Sequence, residues 1–189
     1  MKQDPKPTRK PRSDGQRNRD LIVQVAKQAF TENGAGTSLD EIAKKAGVGP
    51  GTLYRHFPSR EALLEAVYKA EVEKLADAAD QFGRELPPGE ALRAWLMLFI
   101  ERLATKKIIV AALNDLIGSN KMIEQNRSKV HGAVGAIYAR AIESGDLRPD
   151  VNPTDHVLAI VGVTFFSTDE DWRDSAVRLV DILIQGSRP

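Results

Sequence analysis

"GVGPGTLYRHF", residues 47–57, sets three glycines and a proline beside a threonine, a tyrosine, an arginine and a histidine. Such a string could cradle a phosphate, bind a metal or dock on a nucleic acid. A Walker-type phosphate loop follows a strand and ends in GK[ST]; this string follows a helical pattern and has no lysine after its last glycine. His56, His131 and His156 are the only histidines, and none stands with a second histidine or an acidic residue at zinc-motif spacing. The chain has no cysteine, which excludes disulfides, thiolate chemistry and Cys-ligated zinc. No metal and no cofactor are expected, and the nucleic-acid reading stands.

The flanking pattern supports that reading. Leu21, Ile22, Val25, Ala26, Ala29 and Phe30 recur at three- and four-residue spacing, which predicts an amphipathic helix over 17–32 closed by Asn33-Gly34. Ser38-Leu-Asp-Glu41 has capping-box spacing and should open a second, short helix that stops at Gly47. Pro50 suits the first turn of a third helix to about His56, and Ser59 can cap a long fourth helix ending near Gly83. Two short helices joined by a glycine turn make a helix-turn-helix: Ala43 is small where the helices crowd, Gly47 can turn left-handed, and Ile42, Val48 and Leu53 lock the pair. Neither short helix would survive alone, so the first and fourth must brace them. The outer face of the third then offers Thr52, Arg55 and His56, with Tyr54 alongside, to a major groove, and Gly49 and Gly51 put no side chain between the helix start and the DNA backbone.

Charge follows the same division. Residues 1–60 carry 12 Lys and Arg against 6 Asp and Glu, and residues 61–189 carry 15 against 20, so a basic head precedes an acidic body. At 189 residues, with 42% hydrophobic and 28% charged residues and a mean hydropathy of -0.32, the chain reads as globular. No signal-peptide core stands in the first twenty residues, and apolar runs such as 95–100 are too short for a bilayer, so no membrane association and a cytoplasmic location are expected. Further helices are predicted at 90–104, 106–118, 120–144, 153–166 and 171–186, around a loop at 83–89 and breaks at 118–119, 145–146, 149–153 and 167–169. No period-two segment of useful length appears, so the fold class expected is all-α.

"TSLDEIAKKAGVGPGTLYRHFPSREALLEAV", residues 37–67, resembles the DNA-binding signature of the tetracycline-repressor (TetR) family of bacterial regulators. The resemblance covers the first quarter to third of the chain. It implies a homodimer whose two heads bind a palindromic operator, and a larger helical body that binds a small-molecule effector and releases DNA, as a repressor would. It divides the chain into a flexible basic arm (1–16), a three-helix DNA-binding head (17–60, with helix four leading out from 59) and an effector-binding and dimerisation body (61–189). By the same resemblance, Thr37 or Ser38 touches a phosphate, Gly51 and Thr52 meet bases or backbone, Tyr54 and His56 meet phosphates, and Arg60 is the basic residue opening helix four. Arg55 falls where the family varies and is assigned a base contact. Pro50 stands where relatives often carry a longer polar residue, which shifts readout toward Arg55, Lys44 and the N-terminal arm.

In the body, a pocket between helices needs an apolar lining and a few polar groups, for which Trp95, Met97, Phe99, Leu113, Met122, His131, Tyr138 and Phe165 are candidates. The last two helices, rich in residues such as Val157, Leu158, Ile160, Val161, Leu179, Val180 and Leu183, are too apolar for two exposed faces; a second copy would bury the excess, and the small Ala159 and Gly162 allow close helix approach. A helical enzyme using Asp115, Glu124 or Glu143 is the reading from another class, but nothing arranges these carboxylates beside a nucleophile. An effector-independent DNA-binding or interaction protein without a functional pocket is the alternative within the same class.

Overall fold

The computed structural model describes the backbone of residues 11–117, 120–166 and 172–189, and the side chains of 14–103, 128–163 and 172–189. Eight helices and no strand occur among the described residues. α1 (Pro11–Asn33), α2 (Leu39–Lys45) and α3 (Pro50–His56) form a head, and α4 (Arg60–Glu85) leads from it into α5 (Pro88–Ile117), α6 (Asn120–Glu143), α7 (Pro153–Phe166) and α8 (Trp172–Gly186). The fold is all-helical, as the periodicity predicts.

Local chemistry sets most of the boundaries. α1 stops at Gly34, whose φ of 80° is costly for any residue with a Cβ and whose N–H reaches the Phe30 carbonyl at 3.0 Å. Gly47 takes φ 66° and turns the chain between α2 and α3. Ser59 caps α4, its Oγ accepting the Ala62 N–H at 3.2 Å. The capping box expected at Ser38 does not form: Ser38 occupies the N-cap position, but its exposed hydroxyl makes no cap hydrogen bond.

Three boundaries differ from expectation. α1 begins at Pro11, six residues earlier than predicted, because proline at the first helical position gives up only an N–H that has no helical partner. The loop expected at 83–89 shrinks to Leu86-Pro87; the Arg140 guanidinium donates to the Gly83 carbonyl, and a Cβ on Gly83 would stand 2.7 Å from that guanidinium. α5 runs unbroken through 105, where a threonine without a glycine or proline costs a helix only about 0.5 kcal/mol.

α4 and α5 are the spine of the body, and α6, α7 and α8 pack around them. Trp95 is fully buried, its indole N–H donating to the Leu75 carbonyl at 2.8 Å while its ring stacks on Phe99 with 5.4 Å between centroids. The segment after α6 folds back: an Asp146 carboxylate oxygen accepts the Gly89 N–H in the first turn of α5 at 2.9 Å. A buried polar chain closes the far end, where the Tyr138 hydroxyl lies 2.5 Å from His156 Nδ1 and Ser187 Oγ 3.1 Å from His156 Nε2.

Burial lowers the His156 pKa, with Asp155 offsetting part of the effect, and burial raises that of Tyr138. The imidazole is therefore neutral in the fold. An unfolded chain takes up a proton near the ordinary histidine value of about 6.5 while the folded chain does not, so this site's contribution is complete above that pH and falls as pH drops below it toward the lower folded value. Urea unfolding at pH 7.5 and pH 5.5 should show a larger loss for the wild type than for His156→Asn; equal losses would contradict a neutral buried imidazole.

Candidate nucleic-acid interface

Seven residues are too few for a stable helix in water, so α3 holds its shape by burying one side. Leu53 is completely buried and Phe57, just beyond the helix, is 2% exposed; both join the apolar core with Ile22, Phe30, Ile42 and Leu63. α1 packs against both α2 and α3, and α4 packs on α1. The Arg19 guanidinium covers the Phe57 ring at 5.1 Å, a cation–π contact that ties α1 to the end of α3.

With that side fixed, the other is presented to solvent. Tyr54 is 45% exposed, a large value for an aromatic residue, and Arg55 beside it is exposed. Thr52 and His56 are half-buried, and Arg55 lies over its own helix with a guanidinium nitrogen 3.4 Å from Thr52 Oγ1. Lys44 is exposed in the last turn of α2, and Gly51 is exposed in the first turn of α3. Thr52, Tyr54, Arg55 and His56 thus share one short helix, with Lys44 on the helix before it and Ser38 at that helix's N-cap.

Thr37 and Arg60 are placed differently from the other expected contacts. Thr37 is 7% exposed and its hydroxyl donates inward, to the Gly34 carbonyl at 2.8 Å with the Ala29 carbonyl at 3.3 Å. Of the pair Thr37 and Ser38, the exposed Ser38 is the one with a hydroxyl facing solvent. Arg60 donates from one guanidinium nitrogen to the carbonyls of Ala35 and Thr37, both at 2.6 Å, so it pins the α1–α2 loop to the start of α4. No local signal marks this role, because the partners lie 25 and 23 residues upstream.

Head and body meet at a buried carboxylate. Glu71 on α4 is 5% exposed; its Oε2 accepts from Lys27 Nζ of α1 at 2.8 Å and from Arg102 of α5 at 2.7 Å, and Lys74 stands 3.5 Å from Oε1. Burial pushes its pKa up, but the hydrogen bonds from Lys27 and Arg102 outweigh burial and leave it below the usual carboxylate range. No local signal marks Lys27, Glu71 or Arg102, since each reads as an ordinary polar position on its own helix.

The body candidates divide. Phe99 lines a cavity of about 20 Å³ between α4, α5 and α6. Trp95 is committed to the core, Tyr138 is bonded to His156, Met97 is half-buried against the core, and His131 is partly exposed. The side chains of Leu113, Met122 and Phe165 lie outside the described residues.

Residues 22–67 match the model of bacterial regulatory proteins of the TetR family, and residues 87–189 match the C-terminal domain of SbtR-like transcriptional regulators. The chain belongs to the TetR family. The transcriptional regulator UidR of Escherichia coli is 38% identical over 152 residues, 74% of each chain. A TetR regulator crystal structure from Streptomyces coelicolor is 40% identical with a TM-score of 0.80, covering 90% of this chain and 98% of that one. A second, from Mycobacterium vanbaalenii, is 30% identical with a TM-score of 0.77, covering 94% and 99%. The chain is therefore a DNA-binding transcriptional regulator of a family that typically dimerises, and its family and relatives are regulators rather than enzymes. Among the described residues no helix is long and apolar enough to cross a membrane.

Arg60→Ala separates a scaffold role from a phosphate contact. Losing two charge-assisted hydrogen bonds should cost about 2 kcal/mol of unfolding free energy in a denaturant titration without DNA. An unchanged unfolding midpoint would return Arg60 to the DNA surface.

Proposed function

We propose that the protein is an effector-released repressor, acting in the cytoplasm, that binds a palindromic operator as a homodimer and places α3 of each head in a major groove. The exposed face of α3 carries this reading. Arg55 is the residue suited to a bidentate contact with guanine, and Tyr54, His56, Thr52, Lys44 and Ser38 offer hydroxyl, imidazole and ammonium groups to phosphates. Gly49 and Gly51 support the same docking. Neither has a positive φ, and an added Cβ at either would meet nothing within 4 Å, so the fold itself does not require glycine there. A backbone approaching from outside would. Thr37 and Arg60 serve this surface indirectly, by holding the loop before α2 and thus the position of Ser38.

Under this reading residues 1–16 form a basic arm, of which 1–10 lie outside the described residues and 11–16 are the first turns of α1 rather than a flexible segment, while 17–60 form the reading head and 61–189 the effector and dimer body. The exposed apolar residues Leu158 on α7, 49% accessible, and Ile182 on α8, 66% accessible, support a partner helix pair across these last two helices. A second reading, a DNA-binding protein that answers to no effector, is favoured by the small size of the cavity beside Phe99.

Selection of bound sequences from a random duplex library, with titration of the winner, tests the proposal. A palindromic winner is expected to bind far more tightly than random DNA, and Arg55→Ala should cost about 1–3 kcal/mol on the winner while relaxing preference at one base pair. Equal losses on winner and random DNA would remove the base contact, and failure to enrich any sequence would remove the operator.

A further inference from the structure

Apolar packing fixes the head to the first turns of α4, through Ile22 and Phe30 of α1 against Leu63 and Leu64. Farther along, where α1 lies against α5 as well, the joint is not sealed in this way. An open groove of about 920 Å³ runs between α1, α4 and α5, with five acidic and five basic residues in its lining. Those charges balance, so the groove selects neither sign of ligand. What they do is act on one another.

Three of them meet at one atom. Glu71 Oε2 on α4 accepts from Lys27 Nζ of α1 at 2.8 Å and from Arg102 Nη1 of α5 at 2.7 Å, so a single oxygen joins all three helices. The carboxylate is buried and both cations are part-exposed. Two cations within hydrogen-bond reach of the same oxygen are neighbours, and without the negative charge between them they repel at an effective dielectric well below that of water. Glu71 therefore does more than tie each helix to α4: it keeps α1 and α5 from pushing apart.

We propose that Glu71 is a positioning residue for operator recognition: its carboxylate, shared by α1 and α5, sets the angle of the head to the body and so the half-site spacing that the dimer accepts. This rests on the reading of the protein as a homodimer on a palindromic operator. One head meets its own half-site whatever its angle to the body, but two joined heads must meet two half-sites at once. An inserted base pair moves the second half-site by about 3.4 Å and turns it by about 35°. A joint held through one oxygen resists that displacement, and a loosened joint follows it.

The chain has no cysteine, so nitroxide labels can be attached through Glu41→Cys in α2 and Ser128→Cys in α6, both exposed positions. The labelled full-length protein is refolded with an excess of unlabelled chain, so that dipolar spectroscopy reads the head-to-body distance within one chain and without DNA. The parent should give one narrow distribution, Lys27→Met and Arg102→Met broader ones, and Arg102→Lys one close to the parent. Glu71→Gln, which leaves the cations facing each other, should displace the distribution most, and adding Lys27→Met to it should bring it back toward the parent. On an operator with one base pair inserted between the half-sites, the wild type should lose about tenfold in affinity relative to the selected operator, and Lys27→Met and Arg102→Met about threefold or less. Distributions unchanged in both of these variants overturn the proposal. So does an equal loss of affinity at every spacing, which is what a merely structural role would give. Lys27 is part-exposed, so Lys27→Met carries the test if Glu71→Gln does not fold. Because the distance is read within one chain and without DNA, the lack of a dimer or of a palindromic operator is distinguishable from failure at Glu71.

Discussion

Two seven-residue helices cannot hold their own backbone hydrogen bonds against water, and the surface proposed to face DNA is made of them. α2 and α3 persist because Leu39, Ile42, Leu53 and Phe57 are buried in a core shared with α1 and the start of α4. That dependence explains the placement of Arg60 and Arg19. Each spends a cation on holding the frame, one by gripping the carbonyls of the loop before α2 and the other by covering the ring that closes α3. Tyr54 and Arg55 can then stay exposed without unravelling the helix that carries them.

A rigid head is useful to a regulator only if its placement is controlled. α4 serves both halves: its first turns pack under the head, and its middle, at Glu71, is bonded to α1 on one side and to α5 on the other. Glu71 is buried and bonded from both sides, so losing Lys27 or Arg102 would weaken the tie between α4 and one of its two neighbours. Farther out, the Tyr138, His156 and Ser187 chain joins α6 and α7 to the end of the chain, so the face proposed for dimerisation is braced from inside by hydrogen bonds as well as by apolar packing.

The head was largely legible from sequence, because its signals are local. Gly34 and Gly47 mark left-handed turns, Pro50 marks a helix start, Ser59 a cap, and Leu53 the single position of α3 that must be buried. Contacts that join distant segments carry no such local signal. Lys27, Glu71 and Arg102 stand 44 and 31 residues apart along the chain, and nothing in the periodicity of any one helix distinguishes them from solvated neighbours. Thr37 and Arg60 matched family contacts by position, yet their polar atoms face the protein's own carbonyls. In the body, Trp95 and Phe99 stand alike in the sequence as pocket candidates, and only the packing of α4 against α5 distinguishes a ring committed to the core from one bordering a cavity.

The central claim is that two copies of α3 enter successive major grooves on one face of a duplex. Guanine-N7 methylation interference on the selected operator tests it most directly, since that atom lies only in the major groove. The expected result is two clusters of interference with centres about one helical turn, roughly 10 base pairs, or a multiple of it apart, arranged symmetrically about the operator's dyad. A single cluster, or undiminished binding to fully N7-methylated duplex, would contradict it.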